Sequence, residues 1–93
     1  MNKSKLNIIR KEIDKLDQQI LTQVKKRTLL VNNVIKIKIF KKQIVDQRRI
    51  KQVLKNIKKK SIIKKIDPNI TEQIWTSMIN SYIKYEKKKF RRK

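Results

Sequence analysis

From Ser4 to Phe40 the chain contains neither glycine nor proline. Within that stretch apolar residues fall at Leu6, Ile9, Ile13, Leu16, Ile20, Val24, Val31 and Val34. Steps of three and four mark one face of an amphipathic helix. At 1.5 Å per residue such a helix is roughly 55 Å long. A compact chain of 93 residues has a radius of gyration of about 12 Å. A helix of that length therefore calls for a second chain beside it.

The rest of the sequence extends the helical pattern. A short break is expected over Lys41 to Val45, after which Asp46 reads as an N-cap. Ile50, Val53, Leu54 and Ile57 form the apolar face of a second helix. That helix is expected to end in the Lys58-Lys59-Lys60 region, where cations suit the negative end of the helix dipole. Asp67-Pro68 then gives a second cap with proline at the first helical position. Ile70, Ile74, Met78 or Ile79, Tyr82 or Ile83, Glu86 and Phe90 mark a third helix. The fold class expected is all-α, with one long, one short and one medium helix in a single domain over 1–93. Residues 87–93 are expected to form a basic tail, solvated or frayed.

Composition narrows the chemistry. Glycine is absent and proline occurs once, which disfavours hairpin-rich sheets, Rossmann folds and glycine-rich phosphate loops. Cysteine and histidine are absent, which removes disulfides, Cys or His metal sites, and triads built on either residue. No metal and no cofactor is expected. No apolar run approaches the ~20 residues of a membrane span, and no apolar signal-peptide core follows Met1-Asn2-Lys3-Ser4-Lys5. The expected setting is cytoplasmic, with no membrane partner.

The formal charge of +21 points directly to a polyanion such as nucleic acid. The chain also has 22 Lys against 6 Arg, 17 Ile against 6 Leu, and no Ala. An AT-rich coding sequence produces that bias with no partner selecting it. Aromatic residues make up 5% of the chain, which leaves few platforms for base stacking. A basic nucleic-acid-binding helical dimer is kept as the alternative from another class, and nucleic acid is not the expected partner.

Three charges stand out because they occupy core-facing steps: Arg27, Lys38 and Glu86. A buried charge costs several kcal/mol unless it is paired or bound. An internal ion pair is one resolution, for example Glu86 with Lys38 or an arginine. There are only seven acids; Glu12, Asp14 and Asp17 sit early on the first helix, and Asp46 and Asp67 read as caps. A small anionic ligand is therefore the economical partner for the seam cations. Arg27 and Lys38 share a helix face about 16 Å apart along the axis, close enough for two long side chains to grip a small ligand. Arg10 lies about 25 Å from Arg27 on the same helix. If Arg10 serves a ligand site, that site belongs to another subunit.

At these residues the sequence resembles the all-helical chorismate mutase family, including its isochorismate pyruvate-lyase branch. Ile9-Arg10-Lys11-Glu12-Ile13-Asp14-Lys15-Leu16-Asp17 is similar to the family's opening L-R-x-x-I-D-x-I-D. Lys26-Arg27, Val34 and Lys38 follow, and then Ile44-Val45-Asp46-Gln47-Arg48-Arg49, similar to V-x-D-x-x-R. Ile66-Asp67-Pro68, Ile74-Trp75, Ile79 and Glu86 match the third helix. The resemblance covers nearly the whole chain, and three motifs in order are specific where one would be weak.

The resemblance implies an intertwined helical homodimer with two active sites, each completed by an Arg from the partner's long helix. It implies that Arg10 from the partner and Arg27 bind the two carboxylates of chorismate. Lys38 touches a carboxylate and the ether oxygen, and Asp46 offers its backbone to the ring hydroxyl. Arg49 braces the site and contacts substrate, and Glu86 donates to the ether oxygen. Lys38 and Glu86 are thus the expected catalytic residues. The expected reaction is the rearrangement of chorismate to prephenate in phenylalanine and tyrosine biosynthesis. Two positions depart from the mutase pattern. Ile50 stands where the family usually has a Glu that holds the C4 hydroxyl, and Tyr82 stands where it usually has a small Ser. Both features also resemble the isochorismate pyruvate-lyases, so a lyase of the same fold is the alternative.

Overall fold

In the computed structural model, which describes residues 3–38 and 43–91, the elements are α1 (Lys3–Ile37), α2 (Gln47–Ile63) and α3 (Pro68–Arg91). No strand occurs among the described residues, so the fold is all-α. The chain divides into two units, Met1–Asn33 and Val34–Lys93. The expected end of the first helix at Phe40 lies outside the described residues, as do Lys41 and Lys42 of the expected break and Arg92 and Lys93 of the expected tail. The described part of α1 closes at Ile37, although the Lys38 amide still donates to the Val34 carbonyl at 3.1 Å.

The first unit is helix alone. Its seam stays open in the single chain: Ile9, Ile13, Leu16 and Ile20 are each about half exposed, and no described residue up to Asn33 is buried. An apolar stripe of this kind gains nothing from water. Despite its length, α1 does not qualify as a membrane span, and no other helix among the described residues is long and apolar enough.

The second unit holds α2 against α3. Asp46 caps α2: its backbone is extended, at φ −108° and ψ 95°, and its Oδ1 accepts from the Arg49 amide at 3.0 Å. Such a bond satisfies one of the amides that a helix start leaves without a partner. Asp67 does the same for α3, accepting from the Asn69 amide at 2.9 Å, with Pro68 opening the helix.

Helix α2 runs three residues past its expected end, to Ile63. The lysines at 58–60 are compatible with helix and do not break it. What ends it is Lys65, whose φ of 60° reverses the chain. The Lys65 amide bonds to the Ile62 carbonyl and the Ile66 amide to the Ser61 carbonyl, at 3.1 and 2.9 Å. This pair of bonds is a Schellman cap, a site that glycine normally fills.

On α2 the expected apolar face, Ile50, Val53, Leu54 and Ile57, is half-buried. On α3 the expected stripe holds from Met78 onward, with Met78, Ile79, Tyr82, Ile83 and Phe90 half-buried and Glu86 buried, and is corrected over the first turns. Ile70 and Ile74 are about half exposed, while Thr71 is buried and Trp75 and Met78 are half-buried. Over these first turns the inward face sits one residue later than the isoleucines suggest, and a polar contact between the helices lies at Thr71. The Ser61 hydroxyl, on α2, donates to the Ile57 carbonyl at 2.6 Å and lies 2.7 Å from the Thr71 hydroxyl, on α3. Each hydroxyl also reaches a carbonyl on its own helix, Ser61 that of Ile57 and Thr71 that of Pro68 at 3.3 Å, so either can be the donor between the helices. Helix α3 continues through Arg91, so the basic run from Lys87 to Lys89 is helical and exposed.

Candidate active site

Arg10 and Arg27 both lie on α1 within the first unit. Seventeen helical residues separate them by about 25 Å along the axis, so they do not share one small ligand on a single chain. Arg10 is exposed and Arg27 is half-buried.

The other candidate residues lie in the second unit. Lys38 follows the end of α1, and its Nζ donates to Glu86 Oε1 on α3 at 3.1 Å. Both side chains are largely withdrawn from water, at 18% and 11% exposure. Glu86 is among the buried residues of the chain, in keeping with its seam position. A pair so placed is held strongly, because removing either partner strands the other charge away from solvent.

The same lysine lines an open cleft of about 540 Å³ with Gln43, Val45, Asp46 and Gln47. That volume falls within the roughly 300–1,000 Å³ usual for small-molecule sites. Asp46 reaches the cleft as the residue that starts α2, with its carboxylate already engaged in the cap. Lys38 and Asp46 are therefore brought together at one cleft, and Lys38 and Glu86 at one ion pair. Arg49 is exposed one turn into α2, and its guanidinium donates to Gln52 Oε1 at 2.8 Å.

Ile50 is half-buried on α2, and its amide closes the first turn on the Asp46 carbonyl at 3.0 Å. Tyr82 is half-buried four residues before Glu86, a spacing that puts the two on one helix face. Its ring meets Tyr85 edge to face, with centroids 6.3 Å apart. The sequence pattern alone did not single out Gln43 and Gln47 as cleft residues. Their closeness to the Asp46 cap was the one available signal. Among the described residues no carboxylate cluster is arranged to hold a metal ion.

The protein is all-helical, with a lysine–glutamate pair whose lysine also lines an open cleft. The family model described as Chorismate mutase type II matches residues 9–87. The chain belongs to that family. No curated protein and no solved structure matched it.

Proposed function

We propose that this chain, acting as one domain over residues 1–93, is a chorismate mutase that rearranges chorismate to prephenate in phenylalanine and tyrosine biosynthesis. It works in the cytoplasm as an intertwined homodimer. The observation that carries the reading is the shielded Lys38–Glu86 pair beside a cleft of small-molecule size. Family membership supports the substrate.

The reaction is a pericyclic rearrangement in which one C–O bond breaks as one C–C bond forms. It needs no nucleophile. The protein's task is to hold a flexible dianion in its reactive conformation and to stabilise charge that develops on the ether oxygen. Arg27 and Arg10 of the partner subunit take the two carboxylates. Lys38 binds a carboxylate and the ether oxygen. Asp46 presents its backbone to the ring hydroxyl, and Arg49 braces the site. Charge-assisted contacts of this kind contribute about 1.5–3 kcal/mol each, and several together give a large acceleration.

Glu86 pairs with Lys38 at 3.1 Å. A carboxylate facing the ether oxygen cannot donate a hydrogen bond and repels the developing charge. The acid form of Glu86, donating to the ether oxygen beside Lys38, is the form this scheme requires.

A lyase acting on isochorismate is the second reading, favoured by the apolar Ile50 and the half-buried Tyr82 on the cleft-bearing unit. Parallel incubation with chorismate and isochorismate separates the two. Loss of chorismate with appearance of prephenate supports the mutase. Pyruvate released from isochorismate alone supports the lyase. Salt-dependent DNA binding with neither turnover would sink both.

The shared site has its own test. Arg10→Ala and Lys38→Ala chains, each inactive alone, regain some activity when mixed, because one hybrid site recovers both residues. No recovery after verified subunit exchange argues against partner completion.

A further inference from the structure

Chorismate offers two kinds of polar handle. Its carboxylates and ether oxygen call for cations and donors. Its ring hydroxyl is neutral, and both donates and accepts. A side chain that matches a hydroxyl must do both as well, and must not already be committed elsewhere.

The cleft at Lys38 narrows the candidates. Lys38 holds Glu86, the Asp46 carboxylate holds the Arg49 amide, and Val45 has no polar side-chain atom. The neutral amides that line the same cleft are Gln43 and Gln47. Gln47 is the first residue of α2 and is exposed, so a ligand entering the cleft can reach it. Ile50, three residues on, lies about 60° round the helix and about 4.5 Å along it. It can offer the hydroxyl no side-chain hydrogen bond. No acid occurs between Asp46 and Asp67 to do so in its place.

We propose that Gln47 is a specificity-determining residue of this site, whose side-chain amide binds the ring hydroxyl of chorismate. The proposal rests on the chorismate reading above. The amide carbonyl accepts the hydroxyl proton, or the amide NH₂ donates to the hydroxyl oxygen, at the lip of α2 next to the Asp46 backbone. A neutral contact of this kind is present in both the bound substrate and the transition state, so it acts on KM more than on kcat.

The test compares the native protein with Gln47→Ala, the near-isosteric Gln47→Met and Gln43→Ala. Each is assayed on chorismate and on the analogue that carries hydrogen in place of the ring hydroxyl. Folding is checked by circular dichroism. Both Gln47 variants are expected to lose about three- to tenfold in kcat/KM on chorismate, mainly through KM, and nothing on the analogue. Equal loss on both compounds, or no loss on either, overturns the assignment. So does a hydroxyl-dependent loss in Gln43→Ala instead. The native protein is the control for the function itself: absence of native turnover overturns the mutase reading along with this one, whereas native turnover with Gln47 variants that lose equally on both compounds, or on neither, overturns only the role of Gln47.

Discussion

Two regions of this chain solve the burial problem differently. The second unit contains every buried residue described: Ile35, Ile44, Ser61, Thr71 and Glu86. It is also where α2 meets α3, where a hydroxyl pair links the two helices, and where the buried ion pair sits. The first unit has a regular apolar seam yet buries none of it. The contrast shows that one amphipathic pattern can serve two ends. In α2 the pattern is answered by another helix of its own unit. In the first unit it is half exposed, which fits a face that a second copy covers, and the proposed dimer assigns it to that copy.

The largest expected effect breaks that contrast at its source. Ile13→Asp together with Ile20→Asp places two charges on the open seam. Burying one isoleucine contributes about 1.5–3 kcal/mol, so the double change removes several kcal/mol from assembly. Sedimentation should show a monomer, and activity should fall at least about a hundredfold. An unchanged oligomer with full activity would mean that the seam faces water in the working protein.

Next comes the Lys38–Glu86 ion pair of the second unit. Glu86→Gln keeps a hydrogen-bond donor beside Lys38 while removing the charge, whereas Glu86→Ala removes both. Turnover of chorismate should persist in the first and fall at least about tenfold in the second, with folding verified by circular dichroism. Equal activity in the two variants would reduce Glu86 to a structural partner of Lys38.

The hydroxyl pair sharpens the comparison within the second unit. Thr71→Val keeps the shape of the side chain and removes the hydroxyl that meets Ser61. The loss should be about 1 kcal/mol, a fall of about 4–8 °C in Tm for a chain of this size. Urea unfolding with an unchanged slope would confirm that stability alone has moved. Equal stability would mean that the two hydroxyls set no register.

The smallest effect concerns Lys65. A non-glycine residue in the left-handed region carries steric strain that glycine lacks. Lys65→Gly should raise stability by up to about 1 kcal/mol with activity unchanged. A destabilised variant would show that the lysine side chain contributes more than the turn gains.

Much of this arrangement is legible in the residues. The three helices, the caps at Asp46 and at Asp67-Pro68, and the shielded position of Glu86 follow from local chemistry. A cap needs one oxygen near two or three amides, and a seam needs only the helical repeat. Family membership was legible for the same reason, because its motifs are short and ordered along the chain.

Other features depend on which surfaces meet. The inward placement of Thr71 rather than Ile70 goes with its contact to Ser61, ten residues earlier on another helix. The extension of α2 to Ile63 depends on where a left-handed residue could be tolerated, which composition does not announce. The choice of Lys38 over an arginine as the partner of Glu86 is likewise tertiary, as is the gathering of Gln43, Asp46 and Gln47 round one cleft. Periodicity and caps are properties of neighbours along the chain, so the sequence alone determined the helices and their caps. Pairing of charges and hydroxyls across helices depends on packing between distant residues, and only the tertiary structure decided it.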